Sequence, residues 1–143
     1  MTFVGPDSRT GHVVRLVAQR LGPGVLEASS TADGEDVLVS ARERLLVLLH
    51  LLRDDPDADM RLLLDVTAVD HGRPAPRDGG GDEHVDQPER PRFDVLYRLR
   101  SPRLGYRALV IVPVTDIDPV VPSATELFPA AEWYERELWE MCA

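Results

Sequence analysis

The stretch Met60-Arg61-Leu62-Leu63-Leu64-Asp65-Val66-Thr67-Ala68-Val69-Asp70, MRLLLDVTAVD, decides the fold class. Met60, Leu62, Leu64, Val66 and Ala68 fall on one side of an extended chain, and Arg61, Asp65 and Thr67 on the other. A period of two marks a strand with one face in a core and the other toward water. Phe93, Val95, Tyr97 and Leu99 repeat the pattern against Arg92, Asp94, Arg98 and Arg100. A third apolar run extends from Tyr106 to about Val114, and Ser101-Pro102-Arg103 marks the turn before it.

Upstream, the period changes. Val13, Leu16, Val17 and Leu21, with Val14 and Ala18, share one helical face after Ser8 or Thr10 as N-cap, and Gly22-Pro23-Gly24 stops the helix. Val25 to Ser30 and Asp36 to Val39 then flank an Asp33-Gly34 hairpin signal, because glycine accepts positive φ at little cost. Ser40-Ala41-Arg42-Glu43 has the spacing of a capping box and predicts a second helix from about Ala41 to Arg53. Its middle, LLVLLHLL, is apolar nearly all round, so more than one side should be covered.

Between Asp70 and Arg92 lies a stretch rich in Pro, Gly and acid that is too polar to pack and long for a hairpin loop; a mobile insertion at about 71–91 is expected. Pro119, Pro122 and Pro129 cut the next segment into extended pieces, and a last helix is predicted from about Pro129. On it, Ala130, Ala131, Tyr134, Leu138, Met141 and Cys142 share an arc of about 120°. Glu132, Arg136 and Glu140 form a charged stripe opposite, and Trp133 and Trp139 flank that stripe, where something apolar should cover them. The order helix-strand-strand-helix-strand-strand-strand predicts a two-layer α+β domain with an antiparallel sheet over residues 1–115. A Pro-broken segment and C-terminal helix occupy 116–143.

Composition narrows the function. A chain of 143 residues suits one domain, and its 43% hydrophobic and 29% charged residues are ordinary for a globular protein. The net charge of −9 opposes nucleic-acid binding, which draws on clustered cations. All 16 cationic side chains are arginine, with no basic stripe among them. One cysteine makes no internal disulfide, the N-terminal residues do not read as a secretory signal, and no apolar run approaches the ~20 residues of a spanning helix.

Reactive groups gather in Trp133-Tyr134-Glu135-Arg136-Glu137-Leu138-Trp139-Glu140-Met141-Cys142. Glu135, Glu137 or Glu140 could serve as general acid and base, since a carboxylate against an indole can have its pKa raised, and Glu137 beside Trp133 is best placed. The favoured alternative is that these acids solvate a helix and pair with Arg136. Cys142 needs a base to act as nucleophile, and His12, His50, His71 and His84 are all distant in sequence; packing on the apolar arc is its default. Asp82-Glu83-His84 with Asp86, and Asp70 with His71, lack the spacing of a metal site. His50 is expected as a hydrogen-bonded core residue, and Gly79-Gly80-Gly81 has no helix after it to hold a phosphate.

Several segments together resemble the thirty-kilodalton subunit, also lettered C, of the respiratory complex I family, the proton-pumping NADH:quinone oxidoreductase. Leu63-Leu64-Asp65-Val66-Thr67-Ala68-Val69-Asp70 is similar to the family's L-x-D-L-T-A-V-D strand, and Arg92 to Leu99 to its R-F-x-V-V-Y-x-L strand. Pro122-Ser123-Ala124-Thr125, followed by Phe128-Pro129 and Trp133, resembles the approach to the signature. Glu135-Arg136-Glu137 with Glu140 resembles the signature itself. Family members usually have Trp at Phe128, Asp at Glu140, an aromatic at Cys142 and Gly at Ala143. They continue through I-x-F-x-G-H-P-x-L-R-R-I-L, a tail absent from these 143 residues.

The resemblance implies a peripheral-arm scaffold subunit with no catalytic residues and no bound cofactor; NADH, FMN, iron-sulfur clusters and quinone would be held by other subunits. Its partners would be the large quinone-site subunit and the adjacent cluster-bearing subunit, at the cytoplasmic face of a bacterial inner membrane. Trp133, Glu135, Arg136, Glu137, Trp139 and Glu140 become candidates for docking. Competing readings are the equivalent subunit of a membrane-bound hydrogenase-type complex, a stand-alone enzyme using Glu137 with Arg136, and a free-standing binding or oligomerising module.

Overall fold

The computed structural model describes residues 11–22, 25, 27–72 and 91–142. In chain order the elements are α1 (His12–Leu21), β1 (Glu27–Ser30), β2 (Glu35–Val39), a 3-10 turn (Arg42–Arg44), α2 (Leu45–Asp54), β3 (Leu62–Asp70), β4 (Phe93–Arg100), β5 (Arg107–Val114) and α3 (Ala131–Cys142). Five strands form one sheet in the order β1-β2-β5-β4-β3. The α+β class and the element order match the sequence reading, but the sheet is mixed: β2 pairs with β5 in parallel, and the other neighbours are antiparallel. The cause is the crossover. Helix α2 carries the chain back over the sheet, so β3 starts in the same direction as β2 at the far edge, and two reversals then lay β5 parallel to β2 in the gap.

One sheet face carries the core. Leu38, Val110, Tyr97 and Val66 lie in one row of the register, Leu99 and Ala108 in the next, and all are buried. Leu45, Leu48, Leu49 and Leu52 of α2 pack on this face with Val13, Leu16 and Val17 of α1. Fully burying such a leucine contributes roughly 1.5–3 kcal/mol. Leu46 and Val47 stay exposed at 39% and 47%, so α2 is covered on its inner side and not all round.

Local details differ from expectation in instructive ways. Strand β3 does not alternate strictly: the register steps from Leu63↔Leu99 to Asp65↔Arg98, leaving Leu64 as an extra residue in a bulge. Before the bulge Leu63 faces the core and Leu62 is exposed; after it Val66 is buried. The capping box does not form, because Ser40 is buried at the end of β2 and its hydroxyl donates to the Ala41 carbonyl. A 3-10 turn at Arg42–Arg44 precedes α2 instead. His50 is exposed and sits 3.0 Å from Asp54 one turn on, not in the core.

Ser8 and Thr10 lie outside the described residues, as does the insertion from 73 to 90. The start of α1 is capped from elsewhere: Asp36 of β2, buried, accepts from the amides of Gly11, Val13 and Val14 at 3.1, 2.9 and 3.1 Å and from the Ser30 hydroxyl at 2.6 Å. Gly11 permits this approach with φ +75°, and a Cβ there would meet the Arg15 guanidinium at 3.2 Å. Among the described residues no helix is long and apolar enough to cross a membrane.

Candidate functional site

The segment from Asp116 to Pro129 has no strand partner, so side chains must hold it. Arg42 donates to the carbonyls of Asp118 and Val120 at 2.9 and 3.2 Å and pairs with the Asp118 carboxylate. Arg53 donates to the Leu127 carbonyl at 2.9 Å. Arg42 of the 3-10 turn and Arg53 of α2 thus fasten the proline-broken segment, whose Ala124 and Phe128 are buried.

Helix α3 then begins at Ala131, two residues later than the proline pattern indicated. Ala131 is fully buried, and Tyr134 and Leu138 pack partly against the core, as the apolar arc required. Met141, on the same arc, is 76% exposed. Nothing is described of the Cys142 side chain.

The six candidate docking residues divide. Glu135 is half-buried and turned inward: its carboxylate accepts from the Ser123 hydroxyl and the Ala124 amide, both at 2.7 Å. It closes a clasp between the 122–125 stretch and α3. Ser123 does not stand out in the sequence as a site residue, and only the three-dimensional pairing reveals its part. Arg136 lies 3.1 Å from Glu132 one turn earlier, on the exposed side. Glu137 and Glu140 are exposed. Trp133 and Trp139 are 68% and 73% exposed, so nothing among the described residues covers either indole. Glu137 is therefore not enclosed by apolar surface as the acid-base reading required.

Beside Trp139 a groove of about 520 Å³ opens between α3, the Val121 to Ser123 segment and the ends of β3, β4 and β5. Tyr97 lies at its base, and burial first, then the nearby Glu135 carboxylate, pushes its phenol well above the ordinary range. At the groove edge Arg92 grips Asp70 through two contacts of 2.9 Å, and His71 lies 2.8 Å from Asp94. Arg92, then the Gly72 amide, draws the Asp70 carboxyl down to about 2. Among the described residues no three His, Cys, Asp or Glu side chains group as metal ligands.

A mixed sheet, a clasped helix α3 and two uncovered indoles define a small α+β domain. Residues 38–143 match the family described as Respiratory-chain NADH dehydrogenase, 30 Kd subunit, and the chain belongs to it. It is 40% identical over 120 residues to a C-type subunit of the NADH-quinone oxidoreductase of Rhizobium meliloti (strain 1021), covering 82% of this chain and 51% of the relative. Against the C-type NADH-quinone oxidoreductase subunit of Brucella abortus (strain 2308) the identity is 38% over 136 residues, covering 94% and 58%. The chain thus spans about half the length of the relatives it matches.

Solved structures share the fold. A trypsin-resistant fragment of Nqo5 superposes with a TM-score of 0.64 at 24% identity, covering 92% of each chain. A chain of the membrane-bound sulfane sulfur reductase, an archaeal respiratory membrane complex, gives 0.62 at 21% identity, covering 87% of this chain and 62% of that one.

Proposed function

We propose that the chain is a non-catalytic scaffold subunit in the peripheral arm of a proton-pumping NADH:quinone oxidoreductase. It supports the quinone-site subunits during electron transfer from NADH to quinone. Its partners are the large quinone-site subunit and the adjacent cluster-bearing subunit, which with the rest of the complex hold NADH, FMN, iron-sulfur clusters and quinone. The complex sits at the cytoplasmic face of a bacterial inner membrane. Family membership favours this reading over the hydrogenase-type alternative.

One observation carries the placement of the contact: α3 is fixed on its inner side by Ala131, Leu138 and the Glu135 clasp, yet holds Trp133 and Trp139 in water. Large rigid aromatics are the side chains that most often anchor protein interfaces. Co-expression with the large quinone-site subunit, followed by affinity purification, tests the reading. The wild-type chain should co-purify, and Trp139→Ala should release the partner while remaining folded. NADH:quinone activity from the purified chain alone would sink it.

A further inference from the structure

We propose that the groove beside Trp139 seats an apolar side chain carried on a cationic segment of the partner protein. This rests on the docking reading above and adds the chemistry of what docks. Val66, Ala68, Val95 and Tyr97 of the sheet line the groove with Val121, Leu138 and Trp139, and Arg92, Asp116 and Glu135 are its charged members. The largely apolar sheet side disfavours a charged tip, and an apolar side chain seated there covers Val66, Ala68, Val95 and the Trp139 indole together.

Charge selects the carrier. From Asp116 to Cys142 the chain holds seven carboxylates against Arg136 alone, a net −6 of its total −9. Among the described residues no cation pairs with the exposed Glu137 or Glu140. A second copy would bring the same negative field, and an anionic lipid surface would be repelled by it. A segment with Arg or Lys beside its apolar anchor is attracted on approach by this field, to which Glu137 and Glu140 contribute from the far side of α3, and meets the Asp116 and Glu135 carboxylates in the groove lining.

The test uses the complex formed by co-expression with the large quinone-site subunit. A photo-crosslinking amino acid replaces Val121, and the attached segment is read by mass spectrometry. It should carry an apolar residue flanked by Arg or Lys. Filling the groove with Ala68→Phe, or more gently with Ala68→Leu, should weaken the complex roughly tenfold or more. The pair Glu137→Gln and Glu140→Gln should weaken it about three- to tenfold at low salt, and less at about 0.5 M salt.

Crosslinks to a second copy, to a lipid or quinone, or to an acidic segment overturn the proposal. So does wild-type affinity in Ala68 variants that keep their melting temperature. A complex sensitive to Trp133→Ala but indifferent to groove filling overturns this proposal alone. A wild-type chain that forms no complex overturns the docking reading with it.

Discussion

Two carboxylates show how much a single side chain fixes. Glu135 satisfies the Ala124 amide and the Ser123 hydroxyl, so Glu135→Ala removes two charge-assisted hydrogen bonds at a half-buried position. It should cost about 1–3 kcal/mol in urea unfolding, and a cycle with Ser123→Ala should be non-additive. Asp36 caps α1 from within the sheet, and Asp36→Ala, which strands buried amides, should cost about 2 kcal/mol or more by the same measurement. Asp70 sets a pH dependence. Its folded pKa lies below the unfolded one, so its contribution is full above the ordinary value of 3.8 and fades as pH falls through about 2. Acid titration followed by circular dichroism should therefore show a shallower loss between those pH values in Asp70→Asn than in wild type.

At the scale of elements, the bulge in β3 gives a contrast that strict alternation would not. Leu63→Ala should cost about 2–4 kcal/mol because Leu63 is 3% exposed, while Leu62→Ala and Leu64→Ala should each cost under about 1 kcal/mol. Equal losses at all three would place the bulge elsewhere. The strands and helices are legible in the sequence because their apolar periods are long and regular. The bulge is hidden because three consecutive leucines, 62 to 64, satisfy either phase. Ser40 and Glu43 have capping-box spacing but no box, since Ser40 completes β2 by donating its amide to Ile111. The parallel pair follows from the β2-α2-β3 crossover, whose effect on strand direction a bare order of helices and strands does not express. Asp36 as a cap is illegible, because it joins residues more than twenty positions apart.

For the whole molecule, one end of the sheet differs from the rest. Arg42 and Arg53 hold the segment before α3, that helix packs beside β3, and its outward side carries indoles and carboxylates. Helical spacing puts both tryptophans off the apolar arc of α3, and the structure leaves both uncovered. Spacing sets Glu140 opposite the apolar arc but does not distinguish Glu135, facing inward, from Glu137, facing out, because both border that arc and the partner of Glu135 lies across a proline-broken turn. The central claim is that α3 presents an interface. Titrating the large quinone-site subunit with wild type and with the Trp133→Ala, Trp139→Ala double variant, beside urea unfolding of each, tests it most directly. The double variant should keep its stability within about 0.5 kcal/mol and bind at least about 30-fold more weakly. Unchanged affinity, or a loss no larger than the change in stability, would contradict the claim.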